Sequence, residues 1–202
     1  MADNKHSEQE GFALLIALIV VGVVLSVGLV ILDLTIKQVR LAATTRDSEV
    51  AFHAANAGME CAQYLRRVDL DAVVAVGTGL PSSLQCFSGV EAVDKQNSAL
   101  RSDAVDSTTD SDFVRHYSYE FTWENRCTLV DMVTLNAVAN GAQITVAQAD
   151  MQAAIPGFPN ENKECLAGSE CTTIAVRGYN QACPGAGDFG YGVVERKVLL
   201  EF

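Results

Sequence analysis

The stretch EQEGFALLIALIVVGVVLSVGLVILDL, residues 8–34, decides the fold, because no charged residue occurs within residues 12–32. A helix over those 21 positions rises roughly 31 Å, which is about the thickness of the hydrocarbon layer of a bilayer. A buried helix of this composition would need a large soluble domain around it. Residues 12–34 are therefore predicted to form a membrane-spanning or membrane-extracted helix.

The apolar run does not fit a secretory signal peptide that is cleaved behind it. Such peptides have an apolar segment of about 7–15 residues, followed by a cleavage site of small residues. Here the run is longer, and the next residues, DLTIKQVRLAATTRDSE, are typical of a continuing helix. If a peptidase acts, Gly11 offers a small residue in front of the run.

The acidic composition limits the partners of the chain. Its 202 residues carry a net charge of −11, and its pI is about 4.6. Such a surface repels the phosphate backbone of nucleic acids, so no nucleic-acid partner is predicted. Outside the leader and the apolar run, about 170 residues remain, enough for one modest domain and a helical extension.

Six cysteines beside a membrane anchor indicate a disulfide framework outside the cytoplasm. A zinc site would need closely spaced pairs of the C-x₂-C type, and the sequence contains none. Spacing alone does not exclude any pairing of the six. The pairs that we predict are Cys61–Cys86, between the helix end and the following loop, Cys165–Cys171, and by elimination Cys127–Cys183.

Residues 35–70 are predicted to continue the helix as an amphipathic segment. Helix-favouring residues are frequent there, and no proline occurs from Phe12 to about Val68. Gly58 is a weak point, which costs about 1 kcal/mol relative to alanine in a helix interior. The predicted apolar stripe comprises Val39, Ala43, Val50, Phe52, Ala55, Met59, Ala62 and Tyr64.

The remaining residues, 71–202, are predicted to form an extracytoplasmic α+β head domain. Strand signals, with alternating or β-branched residues, occur at 113–130, 140–151, 171–180 and 193–202. The second of them begins with the turn dipeptide Asn-Gly. The expected fold class is α+β, with a long N-terminal helix packed on a small antiparallel sheet that contains disulfides.

The N-terminal pattern resembles the signal of type IV prepilins: a hydrophilic leader that ends in Gly11, then a phenylalanine, an apolar run and an amphipathic helix. That family covers type IV pilins, type II secretion pseudopilins and DNA-uptake pilins. The segment FHAANAGMECAQYLRR, residues 52–67, also resembles the helix of minor pilins, and the ending VVERKVLLEF resembles the final strands of some pilin-like proteins. The resemblance extends over most of the chain, and its specific part is residues 8 to about 65.

The resemblance implies a maturation and an assembly. Residues 1–11 would be a leader, which a prepilin peptidase would remove by cutting between Gly11 and Phe12, and the new amine of Phe12 would be methylated. The partners would be membrane lipid first and other pilin subunits, through the N-terminal helix, afterwards. The location would be a single pass in the inner (cytoplasmic) membrane, with the head outside the cytoplasm, followed by a periplasmic or surface filament.

Ile16 occupies the fifth position of the expected mature chain, where most members of the family have a glutamate. That acid is thought to pair with the methylated amine of a neighbouring subunit, and a pseudopilin at the tip of the secretion filament also lacks it. The resemblance therefore implies a minor or tip-located subunit. Which machine the subunit would serve does not follow from the sequence.

Two sequence signals disagree about the orientation in the membrane. Lys37, Arg40 and Arg46 follow the apolar run, and by the positive-inside rule they favour a cytoplasmic C-terminal side. The cysteines and the prepilin pattern favour an extracytoplasmic one, and these we weigh more heavily.

No enzyme activity and no cofactor is predicted, because no nucleophile–base or metalloprotease motif can be identified. The histidines are scattered, and the glycine-rich stretches lack a phosphate-binding pattern. Four acids are weak candidates for calcium ligands in a loop that is more typical of a solvated segment: Asp103, Asp106, Asp110 and Asp112. The alternative function is a stationary single-pass membrane protein with an extracytoplasmic binding or adhesin domain.

Overall fold

A computed structural model describes the backbone of residues 6–68, 84–86, 90–99, 113–183 and 190–202, and the side chains of residues 12–67, 113–183 and 190–202. The chain divides into two compact units, Met1–Arg46 and Asp47–Phe202. The long helix α1, His6–Val68, contributes residues to both units.

After α1, the described residues form eight strands and two short helices. In chain order these are β1 Leu84–Cys86, β2 Val90–Ala99, β3 Val114–Trp123, β4 Arg126–Asn136, α2 Ala137–Asn140, β5 Ile144–Val146, α3 Gln148–Ala154, β6 Lys163–Cys165, β7 Glu170–Tyr179 and β8 Glu195–Glu201. Six strands form one antiparallel sheet in the order β1-β2-β3-β4-β7-β8, and β5 pairs with β6 in a second sheet. The predicted α+β class, with a long helix and an antiparallel sheet, is confirmed.

Within the second unit, the end of α1 packs against one face of the six-stranded sheet. Its buried residues recur every three or four positions, which places them on one side of the helix. The sheet supplies large apolar side chains from β3, β4 and β7 to the same core, among them Tyr117, Tyr119, Met132 and Ile174. The buried residues of α1 are Ala51, Ala54, Ala55, Gly58, Met59, Cys61, Ala62 and Leu65.

Two glycines bring the helix and the sheet close together. A Cβ atom on Gly178 in β7 would lie 2.2 Å from the carbonyl oxygen of Ala51 and 2.2 Å from the amide nitrogen of Ala55. A Cβ atom on Gly58 would lie 2.3 Å from Cγ2 of Thr128. The hydroxyl of Thr128 donates a hydrogen bond of 3.0 Å to the carbonyl of Ala54. Gly58 is therefore required at a contact, which offsets its low helix propensity.

The predicted apolar stripe of α1 is only partly correct. Ala55, Met59 and Ala62 are buried, as expected. Phe52 and Tyr64 are 48% and 58% exposed, and Ala51 and Ala55 are the residues of α1 that lie against Gly178 of the sheet. Val39 is also exposed and belongs to the first unit.

The chain between β4 and β7 covers part of the opposite face of the sheet. It carries α2, β5, α3 and β6, and it forms a second apolar core with residues of β3, β4 and β7. Met151 and Ile155 are fully buried in this core. The described residues of the head domain therefore form two cores, one on each side of its central strands.

Some strand boundaries differ from the sequence prediction. Residues 113–130, which are predicted as one strand signal, contain all of β3, the start of β4 and a tight turn at Glu124 and Asn125, both with positive φ. Residues 140–151 contain only the short strand β5, because Gly141 ends α2 in the left-handed conformation and α3 begins at Gln148.

Two of the predicted disulfides are present. Cys127 is bonded to Cys183, and Cys165 is bonded to Cys171. Cys61 in α1 is also disulfide-bonded. The third predicted pair involves the side chain of Cys86, which lies outside the described residues. The first two bonds connect the start of β4 to the segment after β7, and the end of β6 to the start of β7.

Candidate functional site

The most distinctive surface of the described residues is the first part of α1. An apolar window in it has a mean hydropathy of 3.2, and none of the window is buried. Soluble monomers rarely expose contiguous apolar patches larger than a few hundred Å². By its length and composition, this helix could cross a membrane. Its exposed large apolar residues within residues 12–32 are Phe12, Leu14, Leu15, Ile16, Leu18, Ile19, Val20, Val21, Val23, Val24, Leu25, Val27, Leu29, Val30, Ile31 and Leu32.

The polar groups of this segment are satisfied within the helix, as a hydrocarbon environment demands. The backbone groups form the helical hydrogen bonds. The hydroxyl of Ser26 donates to the carbonyl of Val23 at 2.8 Å, and that of Thr35 donates to the carbonyl of Ile31 at 2.8 Å. The segment can therefore lie in lipid without leaving these hydroxyl groups unpaired.

Small residues on α1 leave space for a close neighbour. A Cβ atom on Gly22 or on Gly28 would meet no atom of the chain within 4 Å. In apolar surroundings, small residues of this kind allow helix backbones to approach closely. They are equally common in helices that simply span a membrane.

Charged side chains follow directly after the apolar run. Lys37 and Asp33 form an ion pair of 2.8 Å one helical turn apart, and both side chains are largely exposed. Arg40 and Arg46 are exposed as well. No acid occurs from Leu34 to Arg46, so this stretch carries three cations against an overall net charge of −11.

The predicted maturation site falls within α1. Gly11 has helical backbone, and its surroundings lie outside the described side chains; Phe12 is 67% exposed. Ile16 is also exposed and offers no carboxylate at this level of the helix. Cleavage after Gly11 and methylation of Phe12 stay predictions. The calcium candidates Asp103, Asp106, Asp110 and Asp112 lie outside the described residues.

A buried charged cluster in the head domain was not predicted from the sequence. Asp131 on β4 accepts a hydrogen bond of 2.9 Å from Arg177 on β7, and Nε2 of His116 on β3 lies 3.5 Å from the other carboxylate oxygen. Burial alone would raise the pKa of the Asp131 carboxyl, but His116, Arg177 and Ser118 stabilise its charged form and hold the pKa below its usual value. The cluster fixes the carboxylate in its charged state.

Only strand register could have revealed this cluster. Ser118 lies opposite Asp131 in the β3–β4 pair, and Asp131 lies opposite Ala175 in the β4–β7 pair, two residues from Arg177. These residues are distant in the sequence and belong to no motif. The arrangement is best described as an internal polar contact of the sheet.

A shallow groove of about 440 Å³ lies between α1 and the β3–β4 hairpin within the second unit. Its walls are formed by Trp123, Arg126 and one side of the helix. The helix residues that line it are Val50, His53, Asn56, Ala57 and Glu60.

One group of side chains among the described residues has the spacing of metal ligands, namely Glu120, Cys127 and Cys183. The two sulfur atoms are bonded to each other, so neither is a thiolate that could bind a metal. The disulfide therefore argues against a metal site at this position.

Comparisons with known proteins leave the family open. No protein-family model matches the chain, and neither the curated proteins nor the solved structures include a significant match. The chain has a long apolar N-terminal helix and an antiparallel head domain with disulfides. This arrangement is compatible with a pilin-like protein or with a single-pass membrane protein.

Proposed function

We propose that this protein is a structural subunit of a type IV pilus or of a type II secretion-like filament, in a minor or tip position. In this proposal a prepilin peptidase cleaves the chain after Gly11, and the subunit assembles through α1. The observation that carries the proposal is the uncharged apolar surface of residues 12–32, which follows directly on a leader that ends in glycine.

The chemistry of this surface suits two environments in turn. Lipid tails and neighbouring apolar helices are similar solvents, so transfer of α1 from a bilayer to a helical bundle costs little hydrophobic free energy. The apolar side chains lie on all sides of the helix. A subunit inside a filament core needs such a surface because other helices surround it.

The head domain supports an extracytoplasmic location. Its disulfides are typical of proteins outside the cytoplasm. Its apolar cores lie within residues 51–200, so the head does not depend on the apolar run for its own packing. The head would face the periplasm or the outside, while the helix anchors it to the inner membrane before assembly.

Ile16 supports a special position in the filament. By resemblance, the absent carboxylate would leave the methylated amine of a neighbouring subunit without its partner. A subunit at the tip would not need this ion pair. The proposal therefore assigns the protein to a minor or tip position rather than to the filament shaft.

The second candidate function is a stationary single-pass membrane protein with an extracytoplasmic binding domain. The groove beside Trp123 and Arg126 favours it, because it combines apolar and polar groups in one concave surface. Both candidates share the membrane helix, and they differ in whether the leader is removed.

The N-terminal mass of the protein separates the two candidates. The protein is purified from cells with and without a prepilin peptidase. A chain that begins at Phe12 only in the presence of the peptidase, with or without one added methyl group, supports the filament subunit. An intact leader in both cells refutes it and leaves the stationary anchor.

A matched pair of variants sharpens this experiment. Gly11→Val is expected to block cleavage and to retain the protein in the membrane, because the larger side chain obstructs the peptidase. Gly22→Val introduces the same side chain where a Cβ atom meets nothing within 4 Å, and cleavage should proceed normally. Normal incorporation of Gly11→Val into filaments would contradict the proposal.

A further inference from the structure

The segment behind the apolar run has a charge distribution that suits the surface of an anionic membrane. Residues 34–46 contain Lys37, Arg40 and Arg46 and no acid, although the chain as a whole carries a net charge of −11. A strongly acidic protein is repelled by anionic lipid. A cation at the right depth would offset this repulsion.

The helical rise gives the depth of each charge. If Gly22, the centre of residues 12–32, lies at the midplane of the bilayer, Asp33 lies about 17 Å from it and Arg40 about 27 Å, at 1.5 Å per residue. The hydrocarbon layer ends at about 15 Å and the headgroups at about 20–22 Å. Side chains on a helix lean towards its N-terminus, so the guanidinium group of Arg40 is directed back to the headgroups.

The ion pair of Asp33 and Lys37 leaves Arg40 as the effective cation at this depth. Asp33 lies next to the hydrocarbon edge, and its charge is compensated by Lys37 at 2.8 Å. Arg40 is exposed, three residues beyond Lys37 and so on the adjoining helix surface. Arg46 lies about 36 Å from the midplane, farther from the headgroups than the Debye length of about 8 Å at physiological ionic strength.

We propose that Arg40 binds the phosphate groups of anionic phospholipids in the leaflet that borders the C-terminal end of the apolar run. The planar guanidinium group can donate two parallel hydrogen bonds to one phosphate. The site is continuous with the membrane-spanning surface. It rests on the membrane part of the proposed function, not on cleavage or filament assembly.

Lipid selectivity of the full chain tests this site. The protein is reconstituted in phosphatidylcholine vesicles with traces of spin-labelled phosphatidylglycerol or phosphatidylcholine, and the motionally restricted fraction gives the relative association of the two lipids. We expect about a fivefold preference for phosphatidylglycerol, because one cation near an anionic surface contributes about 1 kcal/mol. Arg40→Gln should remove this preference.

Two further variants should change the lipid preference differently. Asp33→Asn releases Lys37 from its ion pair and should raise the preference by a further factor of about five. Arg46→Gln removes an equal charge from a position too far from the headgroups, and it should leave the preference within about twofold of the wild-type value. Equal losses in Arg40→Gln and Arg46→Gln would overturn the site, because they would indicate a diffuse charge effect.

Membrane insertion is measured separately, by flotation of the vesicles after an alkaline carbonate wash. An inserted protein without lipid preference refutes the Arg40 site and leaves the proposed function standing. A protein that is washed off refutes both the Arg40 site and the proposed function, because α1 would then not span the bilayer.

Discussion

Gly178→Ala is expected to disrupt the contact between α1 and the sheet. The added Cβ atom would lie 2.2 Å from the carbonyl oxygen of Ala51 and 2.2 Å from the amide nitrogen of Ala55. Ordinary carbon contacts lie at about 3.5–4.0 Å. The helix would therefore have to move away by more than about 1 Å, and the surrounding core would lose contacts.

The magnitude follows from what blocks the methyl group. Overpacking of a core costs about 1–3 kcal/mol, and we expect about 3 kcal/mol here because the obstructing atoms are backbone atoms that cannot rotate away. Gly58→Ala meets side chains of Thr128 and Val176 instead. Since alanine favours a helix over glycine by about 1 kcal/mol, the net cost of Gly58→Ala should be closer to about 1 kcal/mol.

The assay is urea unfolding of the oxidised full chain in detergent, followed by tryptophan fluorescence. Trp123 is the only tryptophan of the chain, and it packs against the core between α1 and the sheet, so its emission reports on this contact. Gly190→Ala is the control, because a Cβ atom there meets nothing within 4 Å.

Either of two unfolding results would refute this reasoning. Ordinary surface substitutions change the free energy of unfolding by up to about 0.5 kcal/mol. If the free energies of unfolding of Gly178→Ala and Gly190→Ala differ by no more than this, the helix does not approach β7 as closely as described. A larger loss in Gly58→Ala than in Gly178→Ala would also contradict it, because the less movable obstacle would then have the smaller effect.

Two further predictions concern the head domain. Replacing Cys127 and its partner by serine should lower the free energy of unfolding by about 4 kcal/mol, and replacing Cys165 and its partner should lower it by about 2 kcal/mol. The reason is that loop-closure entropy grows with loop length, and the two separations are 56 and 6 residues. Chemical unfolding of both variants checks this order, and the reverse order would contradict it. Asp131→Asn should cost about 3 kcal/mol at neutral pH, because it leaves Arg177 without its buried partner. Since the pKa of Asp131 is lowered in the folded state, its stabilisation is present above the unfolded pKa and is lost as the pH falls below about 4. The difference in the free energy of unfolding between Asp131→Asn and wild type should therefore shrink at low pH. Glu161→Gln, at an exposed position, should have little effect on stability at any pH.

Much of the fold could be predicted from local sequence. The apolar run and the lack of proline identified α1, because helix length and composition suffice for this inference. The final strands β7 and β8 were recognisable from their β-branched and alternating residues. The pairs Cys165–Cys171 and Cys127–Cys183 were also predicted, the second only by elimination.

The buried face of α1 could not be predicted in the same way. The stripe that the sequence predicts includes the large residues Phe52 and Tyr64, but they are exposed. The contact is decided by Gly178, which lies more than a hundred residues away and admits only small side chains opposite it. Non-local steric fit of this kind leaves no periodic signal in the helix itself.

The charged cluster escaped prediction for a related reason. Asp131, Arg177 and His116 come together only through the register of three strands. The predicted maturation site is the opposite case. Gly11 and Phe12 are defined by a local pattern, which predicts chemistry that a fold alone does not reveal.

The position of β8 has a consequence for the order of events during biosynthesis. Val198 and Leu200 on β8 pack against the core to which Ala51–Leu65 contribute from α1. Helix α1 leaves the ribosome first, yet this core is incomplete until residue 200 has been made. In the proposed extracytoplasmic topology, the unfinished chain would lie beside the membrane with an unpaired β7 edge, in the compartment where its cysteines are oxidised, and truncated products would present that edge to proteases and chaperones.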